Sequence, residues 1–454
     1  MTVAEQFAAH AIDTCIADLP SEARRRAAVY VLDSLGVGIA GSSVEGARGL
    51  LRVASGWGAP SASVWGRRER LAAPAAAFVN AWQMHNQEYD CLHERAVVHA
   101  MASVLPAALA AAESRGGVSG AELIVAVAVG VDIAAGLGLA ARAGFRFFRP
   151  ATAGGFGGVA AAGRLLGLDH KTLEAAFAWQ LAQVSGTMQA HAEGSPLLPV
   201  QVAFNARAAL QSCELAALDF APTRSVFEGS YGYMSLYEEA FDLEPVLSSL
   251  GRNWRISEFS HKPFPAGRAT HGGIEGVMAL RMQRWFAPED VDRIEVIAPS
   301  LIVRLVGRPL PPTTSATYAR LCMGYTVAKV LQHGRLDLAD FRGDALRDPV
   351  TYALAARVET RSDDNSDPNA MAPQAVAVFL KDGTALRWHC ATMLANPARQ
   401  ITREQHLAKF QRCCTFSLDP LAPGAPSRLV EVVDRLQDVE DVRQLTELVA
   451  GATS

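Results

Sequence analysis

Residues 121–137 read A-E-L-I-V-A-V-A-V-G-V-D-I-A-A-G-L. Apolar side chains recur there at three- and four-residue spacing, the period of a helix face and not of a strand. The apolar run reaches Ala143 and is long enough to invite a membrane-spanning reading. It is rich in Ala instead of Leu and is interrupted by Gly130, Asp132 and Gly136, which suits a buried helix in a helical core. Working outward, T-L-E-A-A-F-A-W-Q-L-A-Q-V (172–184) has the same period, and Asp169, after the loop-forming Gly167, is placed to cap its start. From residue 4 to about 250 the chain reads as helix almost throughout, and such Ala density suits a packed bundle of many short helices.

The character changes near residue 262. V-D-R-I-E-V-I-A (291–298) alternates like a strand, and A-V-A-V-F-L-K-D-G-T-A-L-R-W-H-C (375–390) reads as a hairpin about Asp382-Gly383. A-T-Y-A-R-L-C-M-G-Y-T-V-A-K-V-L-Q (316–332) between them is predicted to be one helix, and S-R-L-V-E-V-V-D-R-L (427–436) returns to helix. The fold class expected is therefore mainly α. Residues 1–262 and 396–454 form a large all-helical domain, and 263–395 form a smaller α+β lid domain inserted into it. A cleft between two such parts is a natural place for a small molecule.

Half of the residues are hydrophobic, enough for a large core, and the net charge of −4 gives no electrostatic footprint for nucleic acid. The start, M-T-V-A-E-Q-F, has no basic leader, so a cytoplasmic protein without a membrane partner is expected. The seven cysteines include no C-x-x-C, which suggests neither a zinc ribbon nor a disulfide framework. Nucleotide and serine-hydrolase motifs are missing. The Gly-rich tract A-T-A-G-G-F-G-G-V-A-A-A-G-R-L-L-G-L (151–168) either permits close helix packing or exposes helix N-terminal amides to an anion.

Chemistry concentrates in H-N-Q-E-Y-D-C-L-H-E-R-A-V-V-H (85–99), where three histidines and three carboxylates lie between apolar segments. Such groups are costly to bury unless paired or working. His85 and Glu88, three apart, would share a helical face, but no H-E-x-x-H is present and no standard zinc spacing fits. An acid/base site needs a second half with cations and another proton carrier. S-H-K-P-F-P-A-G-R-A-T-H (260–271) offers Lys262, Arg268 and His271, although a surface lysine in a linker would show the same pattern.

N-A-W-Q-M-H-N-Q-E-Y-D, followed by V-V-H-A and P-A-A-L-A-A-A-E, resembles a signature of the MmgE/PrpD family. F-G-G-V-A-A-A-G-R-L-L-G-L-D, H-K-P-F-P-A-G-R-A-T-H and C-M-G-Y-T-V-A-K-V-L-Q-H-G resemble its later motifs in the same order, from about residue 25 to 415. The resemblance implies a helical domain with an α+β lid, a homodimer, and no metal or organic cofactor. It also implies proton removal next to a carboxylate of a small substrate. His85, His99, Lys262, His271 and Tyr325 match the family pattern, Glu88 stands where Asp is usual, and Asp90 matches the next acid. Leu92 replaces a family Thr, Leu198 a Lys, and either Phe148 or Arg149 a His.

On that resemblance Glu88, His99, Lys262 and Tyr325 are the catalytic candidates, with Glu88 orienting the base His99 and Tyr325 donating a proton from the opposite wall. His85, Asp90, Arg149, Arg268 and His271 are the substrate-binding candidates. His93, Glu94 and Arg95 are expected to form a solvated bend. The leading expectation is a cofactor-independent, dehydratase-like lyase of a small di- or tricarboxylate. An epimerase of an iminodisuccinate-like substrate would use the same proton abstraction, and an inert binding protein is the third reading.

Overall fold

The computed structural model describes residues 1–144, 146–218 and 220–452. The first two thirds of the chain is helical, and the helices that position the site are α1 (Ser21–Gly41), α2 (Ala73–His85), α3 (Met101–Arg115), α4 (Gly120–Ala140), α5 (Arg149–Leu166) and α6 (Leu198–Leu215). α4 contains the stretch 121–137 and starts at a capping box in which Ser119 and Glu122 satisfy each other's backbone amides. By length and composition α4 could cross a membrane, yet 94% of its apolar window is covered by the surrounding helices. Its mid-helix acid, Asp132, is fully buried; it accepts from the Arg255 amide at 2.8 Å and lies 3.1 Å from His10 Nε2.

The Gly-rich tract is α5, and its glycines permit close packing. A Cβ on Gly157 would lie 2.4 Å from the Gly130 carbonyl oxygen of α4, and one on Gly130 would lie 2.7 Å from that of Gly157. Asp169 accepts from the Thr172 amide at 2.8 Å, the N-cap its position predicts.

A second core begins near Phe264. Its four-stranded sheet has the order β4 (Val358–Ser362), β3 (Val291–Ala298), β5 (Gln374–Leu380), β6 (Ala385–Cys390), after two short strands β1 (Ala62–Ser63) and β2 (Arg70–Leu71) earlier in the chain. β3 pairs in parallel with β4 and antiparallel with β5, placing Ile294 opposite Val358 and Val378. β5 and β6 form the predicted hairpin, and Gly383 supplies the left-handed turn residue at φ 86°. Helices α7 (His271–Gln283) and α8 (Met323–His333) cover the sheet, burying Ile274, Val277 and Val327 with Val296 and Val376. The single helix predicted over 316–332 is two: Cys322 is extended, so Ala316–Arg320 and α8 are separate. Residues after 403 rejoin the first core through Phe410, Leu429, Val433 and Leu445. All seven cysteines are free.

Candidate active site

α2 ends at His85, and the chain then leaves the helix through Glu88, whose φ of 51° is the left-handed region that a Glu adopts only under constraint. His85 and Glu88 therefore meet across a turn and not along a helical face, His85 Nε2 lying 3.7 Å from Glu88 Oε1. His93 and Val98 exchange backbone hydrogen bonds and close a small loop, in which Val97 is also left-handed at φ 52°. Leu92 and Ser260 exchange backbone bonds of 3.1 and 2.8 Å, tying this loop to the segment that carries Lys262. Two sequence regions 168 residues apart are thus laid side by side by two main-chain hydrogen bonds.

Asp90 is the hub. It is fully buried, and its Oδ2 takes both His85 Nδ1 at 3.0 Å and His99 Nδ1 at 2.9 Å, while the two rings stand edge to face with centroids 4.9 Å apart. Burial raises the Asp90 carboxyl, but the two imidazoles outweigh it and hold the group well below the usual range. The ionised Asp90 therefore receives an Nδ1–H from each ring. Lys262, fully buried, donates to Glu88 Oε2 at 2.8 Å and to the Glu88 carbonyl at 3.1 Å, with its Nζ 4.0 Å from Asp90 Oδ1. Burial raises Glu88 too, but Lys262 first, then His85 and His99, bring it down to about 2.

The two histidines are shifted in opposite directions. Burial pulls His85 down, but Asp90, with Glu88, more than compensates and its pKa is raised. Burial lowers His99, and the attraction of Asp90 is offset by the Lys262 ammonium, so His99 stays below the ordinary imidazole value. His99 is neutral at pH 7, with its proton on Nδ1 and a lone pair on Nε2. It lines a cavity of about 50 Å³ together with Glu88, Leu92, Phe148, His191 and Arg268. The donor atoms of His85, Asp90 and His99 are close enough together to hold a cation. Both Nδ1 atoms already bond Asp90, however, and an ammonium lies beside the same carboxylate. The arrangement fits a charge-balanced proton-transfer site.

Several expected roles change. The carboxylate that orients His99 is Asp90, not Glu88. Lys262 lies behind Glu88 and does not line the cavity; its ammonium balances the two acids. Tyr325 is buried in the second core, where its hydroxyl donates to the carbonyls of Asp340 at 2.5 Å and Ala345 at 3.0 Å, away from the cavity. Arg149 turns from the cavity and forms a bidentate pair with Glu238 at 2.7 and 2.8 Å, leaving Phe148 on the cavity wall with its ring 5.6 Å from that of His85.

Arg268 does reach the cavity, but it is paired with Glu94 through contacts of 2.9 and 2.7 Å. His271 is buried beside it, 3.3 Å from Arg268 Nη1 and 3.2 Å from the Ala266 carbonyl oxygen. The expected solvated bend is largely interior. His93 is buried and meets Glu258 at 2.7 Å, Glu94 holds Arg268, Ser260 and Asn396, and of the three only Arg95 is exposed. Leu198 is packed in the helical core and does not line the cavity.

One wall residue has no sequence signal beyond its type. His191, on a five-residue helix, faces the cavity; burial and then the Arg308 charge push it down to about 4, so it too is neutral.

The MmgE/PrpD N-terminal domain model matches residues 5–246 and the C-terminal domain model residues 264–434. The chain belongs to the MmgE/PrpD family. Among its relatives are cis-aconitate decarboxylases of Mus musculus, 26% identical over 99% of this chain and 94% of the mouse protein, and of Homo sapiens, 25% identical over 99% and 95%. The cis-aconitate decarboxylase of Aspergillus terreus is 25% identical over 94% of this chain and 92% of its own length.

Proposed function

We propose that this protein is a lyase of a small carboxylic acid in which His99 moves a proton at a carbon next to a carboxylate. The observation that carries the reading is the Asp90–His99 pair, with His99 neutral and at the cavity wall. A neutral imidazole whose Nδ1–H is held by a buried carboxylate is aimed and made more basic at Nε2. The imidazolium formed when His99 takes the proton is stabilised where it forms, against Asp90.

The pair Lys262–Glu88 leaves the surroundings of Asp90 without large net charge, so the site gains a proton without first having to repel one. The electron pair left at that carbon expels hydroxide with its bonding pair from the neighbouring carbon, and the His99 proton leaves with it as water; in a decarboxylation no carbon proton is taken first, carbon dioxide departs without the bonding pair, and protonated His99 gives its proton to the carbon that receives that pair. The relatives' names support the decarboxylation branch, in which His99 delivers a proton; the neutral state of His99 supports the elimination branch, which opens with abstraction.

Much of the cavity wall is apolar: Leu92, Phe148, Leu305, Leu321 and Met371. The cavity volume is far below the several hundred Å³ of a filled ligand pocket. Substrate therefore enters by outward movement of these walls, which come from both cores. The test is incubation with cis-aconitate, 2-methylcitrate and related di- and tricarboxylates in deuterated water, followed by proton NMR. A new olefinic product or loss of carbon dioxide supports the lyase. Inversion with exchange and no olefin would replace it by an epimerase, and no change with any acid would refute both.

A further inference from the structure

A second and larger cleft, of about 1180 Å³, opens on another side of the cluster. Ser43 and Asn86 from the helical body line one side, and Thr314, Thr317, Arg320 and Arg342 line the other. The one carboxylate on its wall among the described residues, Glu45, is exposed at the edge.

Arg320 sets this cleft apart. The residue is 2% exposed, yet its Nε is buried without a hydrogen-bond partner, and among the described residues no carboxylate forms an ion pair with its guanidinium. Its guanidinium lies over the face of Phe341, whose ring centre is 4.6 Å from the guanidinium carbon. Other buried arginines here are paired: Arg26 with Glu22, Arg149 with Glu238, Arg268 with Glu94.

Arg342, in the same cleft, also lacks a carboxylate and is held by neutral acceptors, Ser43 Oγ at 3.0 Å and Gln87 Oε1 at 3.3 Å. Burial, and then the like charge of Arg342, push Arg320 down to about 9, so it remains charged at neutral pH. An unpaired buried charge is among the costliest features a fold can carry, and it persists where something outside the chain pairs with it.

We infer that this cleft binds a small molecule through an oxyanion, a carboxylate or a phosphate group, with Arg320 as the anchor. The planar fork of Arg320 suits two oxygens of one such group, Arg342 adds long-range attraction, and the Thr314 and Thr317 hydroxyls stand on the same wall. Asn86, next in sequence to His85, joins this wall to the proton-transfer cluster, but the inference does not depend on turnover.

The test is calorimetric titration and thermal unfolding of the full chain in chloride buffer of constant ionic strength, with glutarate and inorganic phosphate as separate probes. Saturable binding of either to wild type is expected, with at least a tenfold loss in R320M and an intermediate loss in R320K. H99Q should bind as wild type does. Without probe, R320M should melt at or above the wild-type temperature, because it removes an unpaired buried charge. Glutarate binding alone assigns a carboxylate, phosphate binding alone a phosphate, and binding of both an unselective oxyanion site. No saturable binding to wild type, or R320M affinity within twofold of it, overturns the inference. If R320M does not fold, equal affinity in R320K and wild type overturns it instead.

Discussion

Replacing Lys262 by Met would remove the cation that faces two buried carboxylates. Glu88 is held at about 2 against an ordinary 4.5, and the difference of about 2.5 units corresponds to about 3 kcal/mol at pH 7. That contribution is the kind a depressed carboxyl makes: fully present above about 4.5 and lost as pH falls towards 2. Without Lys262, burial would act on Glu88 with only His85 and His99 against it, so Lys262→Met should cost about 3–5 kcal/mol at pH 7, the usual penalty for breaking a buried pair from one side.

The loss should shrink as the pH is lowered through the carboxylate range, because a protonated Glu88 needs no partner. Adding Glu88→Gln should recover a large part of it, giving a coupling energy of at least about 1.5 kcal/mol in a double-mutant cycle. Urea unfolding followed by far-ultraviolet circular dichroism, at pH 7 and pH 4.5, measures all four variants. A loss under about 1 kcal/mol in Lys262→Met, or the same loss with and without Glu88→Gln, would refute the charge-balance reasoning.

Other expectations follow from the same geometry. Tyr325→Phe should leave turnover within about twofold while lowering stability by about 1 kcal/mol, the worth of its hydrogen bonds to two backbone carbonyls; steady-state assay and thermal melting check both. Glu238→Gln, which leaves the Arg149 guanidinium without its bidentate partner, should cost about 3 kcal/mol in urea unfolding. Because His99 is lowered, the acid limb of the kcat/KM profile should fall below the ordinary imidazole value of 6.5, since the base stays deprotonated down to its own lower pKa. A limb above 6.5 would mean that burial and the Lys262 charge do not outweigh Asp90 at His99.

Local periodicity carried most of the fold. Val291–Ala298 is a strand at the residues its alternation indicates, and Asp382-Gly383 turns the hairpin, because both are set by nearest neighbours. The break at Cys322 was invisible, since a single extended residue between two good helical runs is imposed by packing and not by its own preference. In the site, the crowded stretch 85–99 marked the right place, and its link to Lys262 was legible through motif order.

Roles were another matter. Asp90 and Glu88 are both acids two positions apart, and only the turn at Glu88 decides that Asp90 faces His99 while Glu88 faces Lys262. The Glu94–Arg268 pair spans 174 residues, so the bend read as solvated is in fact a buried tie. Phe148 and Arg149 could not be separated along the chain. The first turn of α5 separates them, sending one to the cavity and the other to Glu238.

The central claim, that His99 aimed by Asp90 carries the proton, is tested most directly by following turnover of the best acid in deuterated water for wild type, His99→Gln and Asp90→Asn, with melting temperatures taken on the same samples. The account predicts product from wild type, carrying deuterium at carbon where carbon dioxide is lost and unlabelled where water is lost, no product from His99→Gln although it folds, and a rate at least about 100-fold lower in Asp90→Asn with KM little changed. Product formed by folded His99→Gln at a rate near that of wild type would contradict it.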